Sequence, residues 1–326
     1  MYRRKSIRGS ILKQKHVRKK QSHILNLHTF GLVYDICCIG PLTVDTIINP
    51  LGITRLPGGT AYYFSSALSR MDLRYTLVTT LAEEDQYIAE NLKNLGIQIN
   101  ILPTKKTTHF ENEYQDNPDN RTQRVTQESD PIKATDIQNI QADIYHLGPL
   151  IKGDLTMDLI PMLSKKGKVS LDVQGFLRKV IRDKVYPTDW PEKLAMLKNI
   201  TYLKASEHEM TALTGETDPI KGAKKLKDWG AKEIIITRGA KGSTLYTDEG
   251  PIKIPAIPAI VVDTTGCGDT YMAGYLWQRH KRKTPKEAAI TGAAMATLKL
   301  ATTGAFKGTK ENIEALIGTS RAAGYI

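Results

Sequence analysis

Short apolar runs alternate with segments of helical period along most of this 326-residue chain, and this alternation limits the folds that it can adopt. The apolar runs predict strands at Val33–Ile39, Tyr75–Thr79, Ile97–Leu102, Ile144–Leu147, Val169–Asp172, Thr201–Leu203, Glu233–Thr237 and Ser243–Tyr246. The segments between them predict helices at Thr60–Met71, Asp85–Leu95, Leu155–Ser164, Glu207–Leu213, Pro219–Trp229, Asp269–Lys281 and Pro285–Leu300. Such βαβ units produce a mainly parallel sheet with helices on both faces. We therefore expect an α/β fold, as one large domain or two, with ligands beyond the carboxyl ends of the strands.

One region interrupts this alternation. Residues 104–130 are polar and lack a helical period, and Thr107–Tyr114 and Arg121–Gln127 read as two strands. The turn-rich run Asp116-Asn117-Pro118-Asp119-Asn120 joins them, which predicts a hairpin. A hairpin inserted into an α/β fold is either a lid over the binding site or a surface feature without function.

The positive charge is concentrated at the start of the chain. The net charge is +12, but residues 1–34 hold nine Lys or Arg and no acid, so the remainder carries only +3. Nucleic-acid binding is therefore expected, if at all, only through this tail. Residues 1–33 are interpreted as a disordered basic arm, a targeting segment, or sequence translated upstream of the true start; they lack the apolar centre of a secretory signal.

Missing patterns narrow the class of protein. No run approaches the roughly 20 apolar residues of a membrane helix. Three cysteines are too few for a disulfide framework or a four-cysteine zinc site, and a cytoplasmic location is expected. The chain has no G-x-x-x-x-G-K-[ST] loop, and no G-x-G-x-x-G follows the first predicted strand. These absences disfavour a P-loop enzyme and a dinucleotide dehydrogenase.

The run Asp263-Thr264-Thr265-Gly266-Cys267-Gly268-Asp269 offers a different phosphate site. Two glycines before a helix leave backbone N–H groups accessible, and the helix N-terminus adds about half a positive charge. Such a pocket stabilises a phosphoryl group during transfer. Asp269 follows it, and is either an ordinary partner of the helix dipole or a base that takes a proton from an alcohol. The sequence predicts phosphoryl transfer to an alcohol, with Gly266, Cys267, Gly268 and Asp269 as catalytic residues.

This run resembles the C-terminal signature D-T-x-G-A-G-D of the ribokinase-like (PfkB) carbohydrate kinases, with Cys267 in place of Ala. The resemblance covers about residues 34–318. It implies a ribokinase-like three-layer sandwich with a mainly parallel sheet and a small β lid. The kinase domain would span 34–326, with lid segments near 46–57 and 104–130, and would use ATP and Mg²⁺.

The resemblance implies substrate contacts in the N-terminal half. Gly40–Asp45 is similar to the segment whose Asp binds substrate hydroxyls, which makes Asp45 the corresponding residue. Gly58 and Gly59 resemble the glycine pair that lets substrate approach the backbone, although a plain turn is the alternative. Many sugar kinases have an Asn shortly after this pair, and Thr60–Phe64 contains none, so the specificity is expected to differ from that of ribose-type members.

Two further sets of polar residues are candidates. Asp172 ends a predicted strand, where this type of sheet places its ligands, so Asp172, Gln174 and Arg178 are candidate substrate residues; ordinary strand-end polarity is the alternative. Several relatives bind a monovalent cation such as K⁺ near the glycine loop, which makes Asp263 and Thr265 candidate oxygen ligands.

Nucleotide and metal contacts are implied in the C-terminal half. Glu209 matches the Glu of an N-x-x-E motif that handles magnesium and phosphate, and would act on magnesium through water. Ser206 replaces the Asn, and also predicts a helix N-cap. Thr237, Gly239 and Gly242 match a T-x-G-x-x-G loop that lies along ATP in the family.

The resemblance implies an ATP-dependent kinase acting on a small sugar, a polyol such as inositol, or a nucleoside. Tyr62, Tyr63 and Phe64 either stack on such a substrate or pack their helix. A ligand-sensing protein on a kinase fold is the alternative, disfavoured because Asp269 and both glycines are present. The expected partner is the small-molecule substrate, without a membrane, and a homodimer through lid strands stays open.

Overall fold

The computed structural model describes residues 33–50, 52–114 and 121–326. The basic tail predicted over residues 1–33 lies outside them except for Val33. The turn predicted at 116–120 also lies outside them.

Strands and helices alternate through the described residues. The strands are β1 (Val33–Ile39), β2 (Thr43–Asn49), β3 (Gly52–Gly58), β4 (Tyr75–Leu81), β5 (Gln98–Pro103), β6 (Thr108–Tyr114), β7 (Arg121–Gln127), β8 (Gln141–Leu147), β9 (Lys168–Asp172), β10 (Arg178–Ile181), β11 (Lys184–Pro187), β12 (Tyr202–Ser206), β13 (Glu233–Thr237), β14 (Ser243–Thr247) and β15 (Gly250–Ile254). The helices are α1 (Thr60–Leu68), α2 (Tyr87–Asn94), α3 (Leu159–Ser164), α4 (Lys193–Leu197), α5 (Glu207–Thr214), α6 (Pro219–Asp228), α7 (Cys267–His280), α8 (Pro285–Leu300) and α9 (Lys310–Ala322).

A nine-stranded sheet forms the centre of the fold, in the order β15-β14-β13-β12-β9-β8-β1-β4-β5. The strands from β13 to β5 pair in parallel, and β14 and β15 extend the sheet as an antiparallel edge. Every strand predicted from the alternation lies in this sheet, which confirms the mainly parallel α/β expectation. The predicted helices correspond to α1, α2, α3, α5, α6, α7 and α8, whereas α4 and α9 were not predicted.

Helices cover both faces of this sheet because successive side chains of a strand point to opposite faces. In β1, Ile36 and Cys38 pack in the core that α1, α7 and α8 share. Cys37 and Ile39 point the other way, into the core formed with α3, α5 and α6. None of the helices in the described residues is long and apolar enough to span a membrane.

A second sheet has the order β10-β11-β7-β6-β2-β3. The predicted hairpin strands are confirmed as β6 and β7, and four further strands flank them. β3 escaped prediction because Gly52, Pro57 and Gly58 read as turn residues; such residues are tolerated on an exposed edge strand, and β3 lies at the edge. β10 and β11 are joined by Arg182 and Asp183, which both have positive φ and form a tight turn.

Candidate active site

The glycine loop starts helix α7. Gly266 is the N-cap residue with φ of 73°, and a Cβ at this position would lie 2.3 Å from the ring of Tyr63. The helix therefore begins at Cys267, two residues before its predicted start. In its first turn, the N–H groups of Gly268 and Asp269 have no helical carbonyl to bond. They are available, together with the helix dipole, to an anion.

Asp269 lies in the first turn of α7 and lines the larger of two cavities beside the loop. Burial raises the pKa of its carboxyl from the ordinary 3.8 to about 6. The Lys204 ammonium and a hydrogen bond from Thr60 oppose this rise, while the charges of Asp172 and Glu209 add to it. The carboxyl is thus mostly ionised at neutral pH and is a stronger proton acceptor than an ordinary aspartate.

A buried lysine lies against the start of α7. Nζ of Lys204 donates to Oδ2 of Asp172 at 2.6 Å, and both side chains are almost fully buried. A Cβ on Gly268 would lie 3.1 Å from the same Nζ. Burial alone lowers the pKa of Lys204, but neighbouring carboxylates, that of Asp172 first, outweigh it and raise the pKa above its ordinary value. Sequence reasoning missed this residue, whose only signal was a lysine directly after an apolar predicted strand.

Asp172 lies behind the larger cavity rather than on its surface. Only 1% of it is exposed, because its carboxylate binds Lys204 and accepts the backbone N–H of Gln174 at 3.2 Å. This second bond caps the short helical turn Val173–Leu177. Gln174 within the turn and Arg178 directly after it line the cavity. The geometry therefore favours Gln174 and Arg178, rather than Asp172, as residues that can contact a ligand.

The larger cavity has a volume of about 850 Å³ and lies between strands of the second sheet and the glycine loop. Asp45 lines it from β2, and Oγ1 of Thr43 donates to Oδ1 of Asp45 at 2.8 Å. Gly59 also lines it. A Cβ on Gly58 would lie 2.4 Å from the Asp45 carboxyl, so the absence of a side chain at position 58 makes room for that group. The structure thus brings Asp45, Gly58 and Gly59 together with Asp269.

Uncharged polar groups supply much of the remaining cavity wall. Nε2 of Gln123 on β7 donates to Oδ1 of Asn112 on β6 at 2.9 Å, and both residues line the cavity beside Asn49 and Gln174. Among the described residues that line this cavity, Arg178 is the single cation. Such a wall suits the hydroxyl groups of a ligand better than it suits a phosphate group that the ligand already carries.

A smaller cavity of about 610 Å³ lies on the other side of the loop. Thr237, Gly239 and Gly242, which the resemblance implies as ATP contacts, line it. The remaining lining includes apolar side chains that were not predicted, among them Pro255, Ile257, Val261, Ala293, Ala296 and Leu300. The glycine loop separates the two cavities, since Gly266 and Asp269 line the larger one and Cys267 and Gly268 the smaller one.

Glu209 belongs to a capping box at the start of α5. Its Oε2 accepts the N–H of Ser206 at 2.7 Å, and Oγ of Ser206 accepts the N–H of Glu209 at 3.2 Å. The predicted N-cap role of Ser206 is confirmed. Glu209 lines neither cavity, but its charge acts on both Lys204 and Asp269.

The carboxylate of Asp263 is engaged at both oxygens. Oδ1 accepts the N–H of Thr265 at 2.9 Å, and Oδ2 accepts the N–H of Gly304 at 3.1 Å. Nζ of the fully buried Lys299 lies 2.8 Å from Oδ2 and 2.8 Å from the carbonyl oxygen of Asp263. Burial raises the pKa of Asp263, but the bonds from Lys299 and Thr265 outweigh it and hold the pKa below its ordinary value.

Cys267 is a packing residue in this arrangement. Its Sγ contacts the carbonyl oxygens of Asp263 and Ala296, both at 3.8 Å. Burial raises the pKa of the thiol to about 11, so it is protonated and weakly nucleophilic at neutral pH.

Comparisons with known proteins show what this chain is similar to. The sequence profile described as pfkB family carbohydrate kinase matches residues 33–312. A cytidine kinase of Thermococcus kodakarensis is 27% identical over 78% of this chain and 92% of its own length. A pyrophosphate-dependent kinase of the ribokinase family, solved with a pyrophosphate analogue and myo-inositol, is 26% identical with a TM-score of 0.78 over 86% of this chain and 99% of that one. Ribokinase of Arabidopsis thaliana, solved with ribose and ATP, shares the fold at 21% identity, with a TM-score of 0.72 over 88% and 99% of the two chains.

Proposed function

The chain belongs to the pfkB family of carbohydrate kinases, and we propose that it transfers the γ-phosphoryl group of ATP to a hydroxyl of a small sugar, polyol or nucleoside. One observation carries this proposal. A polar cavity and a largely apolar cavity meet at one loop, and that loop ends in a carboxylate with a raised pKa. A hydroxylated acceptor on one side and a nucleotide on the other would bring their reacting atoms together at this loop.

Asp269 would act as the general base. It faces the polar cavity and is ionised at neutral pH, and its raised pKa makes it able to take the proton of the attacking hydroxyl. Asp45, which lines the same cavity from β2, would accept hydrogen bonds from other hydroxyls and so hold the attacking oxygen toward the loop.

The backbone of Gly266–Gly268 would form the anion hole for the phosphoryl group in transfer. The N–H of Gly268, the adjoining N–H of Asp269 and the α7 dipole supply positive potential without any side-chain rearrangement, whereas the N–H of Cys267 is bonded to the carbonyl oxygen of Thr264. Lys204 adds a full charge beneath Gly268 and is held in place by Asp172. Lys204 and Asp172 are therefore proposed to position and polarise the loop, and Asp172 is not assigned a direct substrate contact.

Glu209 lines neither cavity, so its proposed action on Mg²⁺ is through bound water. One oxygen, Oε2, is used in the helix cap, which leaves the carboxylate rigidly placed with a second oxygen able to accept from a metal-bound water. Magnesium bound with the nucleotide would neutralise part of the triphosphate charge. The chain's own contribution there is the fixed negative charge of Glu209, which also raises the pKa of Lys204.

The smaller cavity supports ATP as the phosphoryl donor. A related kinase is described as pyrophosphate-dependent, so the donor needs an argument from this chain. Proline, isoleucine, alanine and leucine side chains line the smaller cavity, and such a lining suits an adenine ring, whereas inorganic pyrophosphate offers it no apolar surface. Thr237, Gly239 and Gly242 would lie along the nucleotide.

The acceptor is proposed to be uncharged. Asn49, Asn112, Gln123 and Gln174 offer both donors and acceptors, which suit the hydroxyls of a sugar or inositol and equally a nucleoside. The second sheet would serve as the lid over this acceptor. Phe64 is fully buried and stacks on the ring of His146, with the two ring centroids 4.3 Å apart. We therefore assign it to the packing of the fold and not to substrate contact.

An acceptor screen with two donors tests the proposal. The full chain is supplied with Mg²⁺ and either ATP or pyrophosphate, and ADP or phosphate release is measured with hexoses, pentoses, ketoses, inositols and nucleosides. We expect ADP release with at least one neutral acceptor and little reaction with pyrophosphate. Turnover with pyrophosphate alone would contradict the donor assignment, and ATP binding without turnover on any acceptor would favour a ligand sensor.

Two variants make the screen specific to the site. Asp45→Asn should raise KM for the acceptor more than KM for ATP, because Asp45 lines only the polar cavity. Asp248→Asn is the matched control, since Asp248 is an exposed carboxylate paired with Lys227 on the surface. Equal effects of both substitutions would remove Asp45 from substrate recognition.

A further inference from the structure

A buried ammonium group supports the loop that carries Asp269. Lys299 lies in the last turn of α8, and its side chain is fully buried. Its Nζ contacts two oxygens of Asp263, the backbone carbonyl and Oδ2, each at 2.8 Å. Asp263 is the first residue of the run that ends in Asp269, so this lysine ties the far end of α8 to the base of the glycine loop.

These contacts conflict with the expectation of an exchangeable monovalent cation at Asp263 and Thr265. A K⁺ ion would need the carbonyl and carboxylate oxygens of Asp263, which Lys299 already contacts. The other carboxylate oxygen accepts the N–H of Thr265, and Oδ2 also accepts the N–H of Gly304. A second cation placed beside Nζ of Lys299 would be repelled, because this ammonium is fully buried and its charge is weakly screened. The residues present therefore do not fit a bound K⁺.

We infer that Lys299 is a built-in monovalent cation, which takes the place of an exchangeable one and makes the activity of this protein independent of K⁺. An ammonium group and K⁺ carry the same charge, and both are satisfied by oxygen ligands. Because the ammonium is covalently part of α8, it is always present, and no cation has to bind from solution.

The charge balance explains why a cation is needed at this point. Asp263 places a negative charge next to a loop that is proposed to receive a phosphoryl group. Uncompensated, that charge would oppose the positive potential of the α7 N-terminus. Lys299 neutralises it from the buried side, and the same charge partly offsets the effect of burial on the Cys267 thiol.

Substitution of the lysine by an uncharged side chain of similar length should create a need for a free cation. With the full chain, turnover of wild type is expected to change by less than about twofold when KCl replaces choline chloride at constant ionic strength. Lys299→Met should lose about 10²-fold in turnover in choline chloride, and NH₄⁺ or K⁺ should restore about tenfold or more in a saturable manner. Lys281→Met is the control, because Lys281 pairs with Asp72 on the surface.

Thermal unfolding provides a readout that does not depend on the proposed kinase activity. Lys299→Met should gain Tm with NH₄⁺ or K⁺ over choline, while wild type and Lys281→Met should not. Lys299→Gln serves the same test should the Met variant not fold. The inference is overturned by K⁺ activation of wild type of tenfold or more, by a K⁺-dependent Tm in wild type, or by folded Lys299 variants that no cation rescues. Absence of turnover on every acceptor would refute the proposed function and leave the Tm comparison valid.

Discussion

Asp269→Asn is predicted to lower turnover and raise stability at the same time. The substitution keeps the shape of the side chain and its ability to accept the hydrogen bond from Thr60, but removes the negative charge. Without that charge, no group in the first turn of α7 can take the proton of the attacking hydroxyl. We expect turnover to fall by about 10²–10⁴-fold, the usual contribution of a positioned general base.

The gain in stability follows from the pKa of the same group. Burial raises the pKa of Asp269 from 3.8 to about 6, and this shift corresponds to about 3 kcal/mol of destabilisation of the ionised form. Because the folded-state pKa lies above the ordinary value, the folded state binds the proton more tightly than the unfolded chain does. The penalty is absent below pH 4, grows as pH rises to about 6, and is complete above it. The Asn variant does not carry this penalty.

The assay is denaturant unfolding of both proteins between pH 4 and pH 8, together with turnover and ATP binding at pH 7.5. The free energy of unfolding of Asp269→Asn should exceed that of wild type by about 1–3 kcal/mol above pH 6, and the difference should shrink toward pH 4. Asp248→Asn, on the surface, should leave the free energy of unfolding nearly unchanged.

Two results would refute this reasoning. Near-normal turnover in Asp269→Asn would remove Asp269 from the mechanism. A stability difference that stays constant from pH 4 to pH 8 would mean that the carboxyl is not desolvated by the fold, and the raised pKa could then not be used to explain its basicity.

The remaining predictions concern the same loop. The kcat/KM of wild type should fall tenfold per pH unit below about pH 6, where Asp269 becomes protonated. It is measured with the acceptor found in the screen, and a profile that stays flat down to pH 5 would contradict this prediction. Cys267→Ala should leave turnover within about twofold, and wild-type Cys267 should react slowly with thiol reagents at pH 7, because its thiol pKa is about 11; rapid labelling would show that the thiol is exposed and ionised. Lys204→Met should cost about 3–5 kcal/mol of stability, measured by urea unfolding, because Asp172 is left buried without its partner. Adding Asp172→Asn should restore much of that stability but not turnover, and recovery of both would limit Lys204 to a structural role.

Local pattern was sufficient for the parts of the fold that have a regular period. All strands predicted from apolar runs lie in the nine-stranded sheet, and most of them are buried on both faces, which produces continuous apolar runs; β5, at the sheet edge, is the exception. In the second sheet, β6 and β7 were predicted as strands, whereas the residues of β2 and β3 were recognised only as a lid segment near 46–57. β3 exposes most of its residues at a sheet edge, and β10 and β11 are only four residues long. None of these three strands therefore has the run of buried apolar residues by which a strand is recognised in a sequence.

Short motifs predicted where the site lies but not how its charges are paired. Asp45, Gly59 and Asp269 line one cavity, and Thr237, Gly239 and Gly242 line the other, so residues with related predicted roles share a cavity, while the roles themselves stay predictions. Asp172 was expected at the cavity surface and instead lies beneath it with Lys204. Asp172 does lie at the end of a strand, as predicted. A side chain at a strand end can point either into the cavity or into the protein interior, and sequence spacing does not distinguish these two directions.

The sequence by itself determined the sheet, the glycine loop and the type of reaction, since each depends on residues that are close together along the chain. Only the tertiary structure decided which charges meet. Lys204 and Asp172 are 32 residues apart, and Lys299 and Asp263 are 36 apart. Their encounters result from the pairing of β9 with β12 and from the return of α8 toward the loop. A buried ion pair depends on burial that neither partner encodes alone, which is why the two lysines beneath the loop became visible only in the folded chain.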